Sequence, residues 1–184
     1  MKNTLCFLLV LFSTICFAQK SVDAMIVKAN KDTIYTKLKI QTNMFDSKLI
    51  NEASFYKKLV LLDNNGKKTD KLKAKDISKL KFTDLKGEEK VYIFGGAALQ
   101  RLVFEGKKIS WYKMLSQHWD GSIQYFDYLV DSNNIRYEMG LFNSKIKKLK
   151  AATASKPELI DRIENTTLND QGILEILTEF EKLD

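Results

Sequence analysis

Residues 57–73 read KKLVLLDNNGKKTDKLK. Two strand-like runs, 57–63 and 67–73, flank Asn64-Asn65-Gly66, and Asn-Gly favours the positive φ angles of a tight hairpin turn. The stretch therefore reads as an antiparallel hairpin, and the same arrangement recurs on both sides of it. Upstream, runs 22–28 and 33–41 surround Asn30-Lys31-Asp32, with Ile34, Leu38 and Ile40 on one face against Tyr35, Lys37 and Lys39 on the other. Downstream, runs 79–84 and 90–94 surround Lys86-Gly87-Glu88, and runs 99–105 and 107–114 surround Glu105-Gly106-Lys107. A last pair, 122–130 and 135–139, is joined by Asp131-Ser132-Asn133-Asn134.

About ten short strands at this spacing predict a mainly β (α+β) chain: an antiparallel curled sheet, roll or sandwich. Residues 42–54 form a longer polar stretch, 74–77 reads as a single helical turn, and Gly95-Gly96 reads as a bulge or bend.

After Gly140 the period changes. Phe142, Ile146 and Leu149 are spaced by four and three, Ser155-Lys156-Pro157-Glu158 has the composition of a capping box with proline in the first turn, and Asn169 precedes a stripe of Ile173, Leu177, Phe180 and Leu183. Leu168 and Ile173 hold the positions of a hydrophobic staple. Two to three C-terminal helices are expected, and helices this short must pack on the sheet to persist. The expected organisation is a leader over 1–18, a β body over 19–140, and helices over 141–184 packed on the same domain.

The leader follows from Lys2, the apolar run 5–17, and Cys16-Phe17-Ala18 with small residues where an export peptidase reads. The run is too short for a bilayer span, which needs about 20 residues. A lipoprotein leader would put a small residue directly before the lipidated cysteine, whereas Cys16 follows Ile15. Cleavage after Ala18 would remove both cysteines, Cys6 and Cys16, leaving a mature chain without thiol or disulfide and with no transmembrane span. The expected location is exported: periplasm, cell surface or beyond. With 45% hydrophobic and 11% aromatic residues the chain can form an ordered core without disulfides.

Four segments carry a resemblance. They are Asp23-Ala24-Met25-Ile26-Val27 followed by Asp32-Thr33-Ile34; Lys73-Ala74-Lys75-Asp76-Ile77 leading to Phe82; Glu105-Gly106-Lys107-Lys108-Ile109; and Pro157-Glu158-Leu159 before a terminal helix. The sequence resembles a group of small uncharacterised exported proteins of Gram-negative bacteria, with Lys31 and Thr36 standing where glycines are expected around the first hairpin. The resemblance implies a location and a β-then-helix layout, and no activity.

Catalytic motifs are sparse. There is no Gly-rich phosphate loop, nucleophile elbow or paired-histidine metal helix, and Asp63-Asn64-Asn65-Gly66 breaks the spacing of a calcium loop. No cofactor and no metal are expected. The single histidine, His118, lies in Gln117-His118-Trp119-Asp120-Gly121, where Asp120 would orient it as a general base in an alternative hydrolase reading. Asp-Gly is equally turn chemistry. Trp111, Tyr112, Trp119, Tyr125, Phe126 and Tyr128 crowd the neighbouring strands; Trp111, Trp119 and Tyr112 form a candidate binding surface for a sugar or peptide, against the plainer reading that this hairpin seats the helices.

Charge is strongly divided. Residues 19–156 carry 27 basic against 15 acidic side chains, whereas 157–184 carry 2 against 8, and of 30 basic residues only Arg101, Arg136 and Arg162 are arginine. Such a surface attracts anionic envelope polymers or headgroups, and lysines also blunt exposed strand edges. Dispersed lysine lacks the arginine content of a nucleic-acid reader, so no nucleic-acid partner is expected. The resulting functional expectation is a non-catalytic binding or scaffolding module whose partner is an anionic envelope polymer or another envelope protein.

Overall fold

The computed structural model describes residues 20–43, 45–120, 122–140 and 144–183. Residues 1–18, read from the sequence as a leader, Gly121 of the Asp-Gly pair, and Phe142 lie outside the described residues. The chain is mostly β, its strands pair antiparallel, and α-helix among the described residues is confined to the segment after Ser144. Two compact units divide at Glu89/Lys90. The division read at residue 140 thus separates types of secondary structure, while compactness divides the chain within its β portion.

The first unit holds β1 (Lys20–Lys28), β2 (Thr33–Thr42), β3 (Ile50–Asn51), β4 (Lys58–Leu62), β5 (Lys68–Lys73) and β6 (Ile77–Thr83). Their lateral order is β6-β1-β2-β4-β5, with β3 added to β2. Every strand read from the sequence forms here. The polar stretch adds β3 and a 3₁₀ turn at Glu52–Ser54, whose entry is capped by the Asn51 side chain accepting from the Ala53 N–H at 3.1 Å.

A three-residue 3₁₀ turn, Ala74–Asp76, is all that separates β5 from β6, which stand at opposite ends of this unit's order. Since each residue advances the chain by at most about 3.8 Å, the five strands must curl to bring their ends together. The turn holds the curl by backbone bonds on both sides: the Ala74 N–H donates to the Lys57 carbonyl, and the Ala29 N–H donates to the Asp76 carbonyl, both at 2.9 Å. Inside lie Ile26, Leu38, Ile40, Leu59 and Leu80, all buried, and buried Phe55 meets Phe82 edge-on at 5.7 Å. β5 remains an edge strand, so the curl is open.

One turn geometry recurs. After β4, the Asp63 carboxylate accepts from the N–H groups of Asn65 and Lys67, and Gly66 takes φ +78°. Asp84 does the same for Lys86 and Glu88 with Gly87 at φ +86°, and in the second unit Asp131 does so for Asn133 and Ile135 with Asn134 at φ +61°. Only the last turn residue goes left-handed, so Asn65-Gly66 builds a three-residue turn with a glycine bulge rather than the two-residue form. The β1–β2 turn has the same backbone bonds, Lys28 N–H to Asp32 carbonyl and Lys31 N–H to Lys28 carbonyl, with lysine at both special places and Lys31 at φ +72°.

The second unit holds β7 (Glu89–Phe94), which starts at the boundary, β8 (Leu99–Glu105), β9 (Ile109–Gln117), β10 (Ile123–Asp131) and β11 (Arg136–Met139), laterally in reverse sequence order. Three helices follow: α1 (Lys145–Ala152), α2 (Ile160–Asn165) and α3 (Asp170–Lys182). Ile109, Trp111, Leu129 and Met139 supply the sheet side of one core; Leu149 and Ala152, Leu159 and Ile163, and Ile173, Ile176, Leu177 and Phe180 supply the helix side. Asn169 caps α3 by accepting from the Gly172 N–H at 2.9 Å, as its position predicts. The capping box at Ser155 does not form. Pro157 begins a 3₁₀ turn whose cap residue is Lys156, with no side-chain cap bond, because the chain enters α2 through that tighter turn.

α3 is anchored at its first turn to β9 and at its last turn to the β8–β9 turn and the first residue of β9. At its first turn Asp170 receives the Lys113 ammonium at 2.7 Å; in its last turn Glu181 accepts from the backbone N–H groups of Lys107, Lys108 and Ile109 at 3.0, 2.8 and 2.9 Å. The anchors are about 17 Å apart along the helix at 1.5 Å per residue, and about 17 Å apart along the strand at roughly 3.4 Å per residue. The helix therefore lies along β9 and runs opposite to it.

Candidate functional site

Strand alternation decides which side chains leave the core, and in the first unit it sorts lysine onto one face. Register aligns Val27 with Lys79, and Met25 with both Tyr35 and Lys81. On the same outer side Lys37 stands opposite Asp23 and Leu62, Lys39 opposite Ser21, and Lys58 and Val60 opposite Lys73 and Lys71. The residues between these, Val22, Ala24, Ile26, Leu38, Ile40, Leu59, Leu61, Leu80 and Phe82, are the buried side. The outer face thus presents Lys37, Lys39, Lys58, Lys71, Lys73, Lys79 and Lys81 against Asp23. Asp23 is bound by Lys37 at 2.9 Å, and Lys81 reaches Glu89 at 2.7 Å. Adjacent strands lie about 4.8 Å apart, so charges at this density sum to a potential that attracts polyanions.

Within this face an open depression of about 520 Å³ is lined by Asp23, Met25, Tyr35, Lys37, Asn64 and Lys81, with parts of Ala24, Thr36, Phe82 and Thr83. Tyr35 is 79% exposed.

Trp111, Tyr112 and Trp119, the candidate binding surface read from the sequence, are not brought together. Trp111 is fully buried among the helices, its indole N–H donating to Asp127 at 3.3 Å and its ring 5.2 Å from the Lys113 ammonium. This is the helix-seat reading of the hairpin. Tyr112 points to the opposite side, where it stacks on Tyr128 at 5.1 Å, and the Arg136 guanidinium lies 3.7 Å from the Tyr128 ring. Tyr128 is itself buried and donates to Gln100; burial raises its phenol above the usual tyrosine range. Trp119 is 99% exposed at the end of the β9–β10 hairpin, where Tyr125 and Ile123 are exposed too.

His118 and Asp120 sit in that same hairpin end. The His118 ring pairs with the Gln124 amide oxygen at 3.2 Å, and the His118 N–H donates to the Ser122 carbonyl at 2.9 Å. Asp120 accepts from the Ser122 N–H at 2.9 Å, and hydrogen bonding by Ser122 holds its carboxyl below the usual carboxylate range. Each group is engaged in closing its own turn. Among the described residues no cluster of His, Cys, Asp and Glu is arranged to hold a metal ion, and no helix is long and apolar enough to cross a membrane.

No protein-family model matches this chain, and neither a curated protein nor a solved structure matches it.

Alternation in 33–41 already separates Lys37 and Lys39 from the apolar side. The sequence does not reveal that β6 lies beside β1 and β4 beside β2, the neighbours that join these lysines to those of β4, β5 and β6.

Proposed function

We propose that the protein is an exported, non-catalytic binding or scaffolding module of the periplasm or cell surface, and that its contact surface is the lysine face of the first unit, recognising anionic envelope polymers. The observation that carries this reading is the segregation of Lys37, Lys39, Lys58, Lys71, Lys73, Lys79 and Lys81 on the outer side of β2, β4, β5 and β6. Lysine is a compact, hydrated charge on a flexible stem, suited to many weak contacts along a polymer rather than to one fixed bidentate contact. The leader-like sequence supports the location.

Binding through such a face weakens steeply as salt rises and the screening length falls to about 8 Å at physiological ionic strength. Retention on an immobilised anionic glycan at low salt should therefore vanish near physiological ionic strength. Replacing Lys39, Lys79 and Lys81 together by glutamine should reduce the low-salt retention and flatten its salt dependence. Equal retention of that variant and the wild type would overturn the assignment of this face.

A further inference from the structure

Tyr35 and Asp23 stand within the lysine face, on the rim of its open depression. Two adjacent rungs of the sheet build the place. Lys81, Met25 and Tyr35 lie side by side across β6, β1 and β2; the next rung places Asp23 opposite Lys37. Strand spacing sets neighbours in a rung about 4.8 Å apart and the rungs themselves about 7 Å apart. Tyr35 is 79% exposed, and Met25 beside it is half-buried, so together they form a small apolar floor. Asp23 has an 86% exposed side chain that pairs with the Lys37 ammonium at 2.9 Å. Lys81 gives one bond to Glu89 at 2.7 Å, and an ammonium has further donors to offer. The volume of about 520 Å³ lies within the range of small-ligand sites, and the depression opens to solvent.

We propose that this depression is a subsite for one carboxylated sugar ring of an anionic polysaccharide, a deepening that rests on the polyanion-binding reading above. The apolar face of the pyranose stacks on Tyr35 and Met25. Asp23 accepts from neighbouring ring hydroxyls, and the Lys81 ammonium meets the sugar carboxylate. Aromatic rings with a polar edge suit a ligand that is apolar on one face and hydroxylated at its rim. The surrounding lysines carry the rest of the chain by charge alone, and the open side lets a polymer continue past the subsite.

The test is titration calorimetry of the protein at low ionic strength with two probes of matched length and charge, oligogalacturonate and inorganic polyphosphate. Tyr35→Ala should weaken oligogalacturonate about tenfold, the scale of one good anchoring side chain, and change polyphosphate less than about twofold. Tyr35→Phe should retain most of the sugar affinity. Asp23→Asn separates the two sources of affinity by sign: it removes a negative charge, so charge alone predicts tighter binding of both probes, whereas the subsite predicts weaker oligogalacturonate with polyphosphate unchanged or tighter. Equal effects of Tyr35→Ala on both probes, or tighter oligogalacturonate binding by Asp23→Asn, would overturn the subsite while leaving the polyanion reading intact. Failure of the wild type to bind either probe would overturn both. Circular dichroism checks that each variant is folded, and Tyr35 and Asp23 contribute nothing to the core.

Discussion

Gly106 and Glu181 exclude any larger residue from the space between them: a Cβ built on Gly106 would lie 2.1 Å from Glu181 Oε1 and 2.6 Å from the Ile109 carbonyl oxygen. The close approach lets one carboxylate collect three successive backbone N–H groups, those of Lys107, Lys108 and Ile109. Lys108 completes the clamp by donating from its ammonium to the Leu183 carbonyl. The end of α3 and the β8–β9 turn are in this way one unit of structure.

Glu181→Ala should cost about 2 kcal/mol, since it strands backbone donors that are partly buried. Gly106→Ala should cost at least as much, because it displaces the carboxylate and also presses on the Ile109 carbonyl. Part of the two losses is the same loss, so the double variant should be less destabilised than the sum of the singles. Urea denaturation of all four proteins measures this. Strict additivity would show that Gly106→Ala does not act through the Glu181 carboxylate.

The β1–β2 turn predicts a gain. Lys31 occupies at φ +72° the place that glycine fills after β4 and β6. A side chain in that region costs about 1 kcal/mol, so Lys31→Gly should stabilise the protein by less than that amount, the extra chain entropy of glycine in the unfolded state offsetting part of the relieved strain. Gly66→Ala and Gly87→Ala should destabilise by a similar amount, with nothing nearby to clash and strain alone as the cause. Thermal midpoints of the three variants decide it.

The two tryptophans should separate cleanly. Trp111→Ala opens a large cavity under the helices and should cost about 3–5 kcal/mol, whereas Trp119→Ala should leave stability within about 0.5 kcal/mol of the wild type. In Trp119→Phe the remaining emission comes from buried Trp111, so it should be blue-shifted and resist quenching by acrylamide. Strong quenching in that variant would contradict the buried position of Trp111.

Alkaline pH should loosen the fold through tyrosine. Burial raises the phenols of both Tyr128 and Tyr137 above 10.0, and the hydrogen bond from Tyr137 to Asp131 adds to the second shift. Ionisation is then easier in the unfolded chain than in the folded one. Stability from this source is complete below roughly pH 10 and is lost as pH rises through the higher folded values. Tyr128→Phe should show a smaller loss of stability than the wild type between pH 9 and about pH 11, read by denaturant titration at each pH.

Local chemistry in the sequence was enough to determine the strands, most of the turns and the cap of α3. Alternation and helical spacing depend on neighbours a few residues away, and Asn64-Asn65-Gly66 or Asn169 acts within its own turn. β3 leaves no signal in the sequence because two residues carry no alternation, and the capping spacing of Ser155 and Glu158 does not encode the 3₁₀ entry through Pro157. The division of charge was also written in the sequence. Its sorting onto one outer face, the burial of Trp111 away from Tyr112 and Trp119, and the meeting of Tyr35 with Met25, Asp23 and Lys81 were decided by tertiary structure alone. Each depends on which strands become neighbours, and pairing is fixed by long-range burial and sheet curl rather than by any residue's own preference.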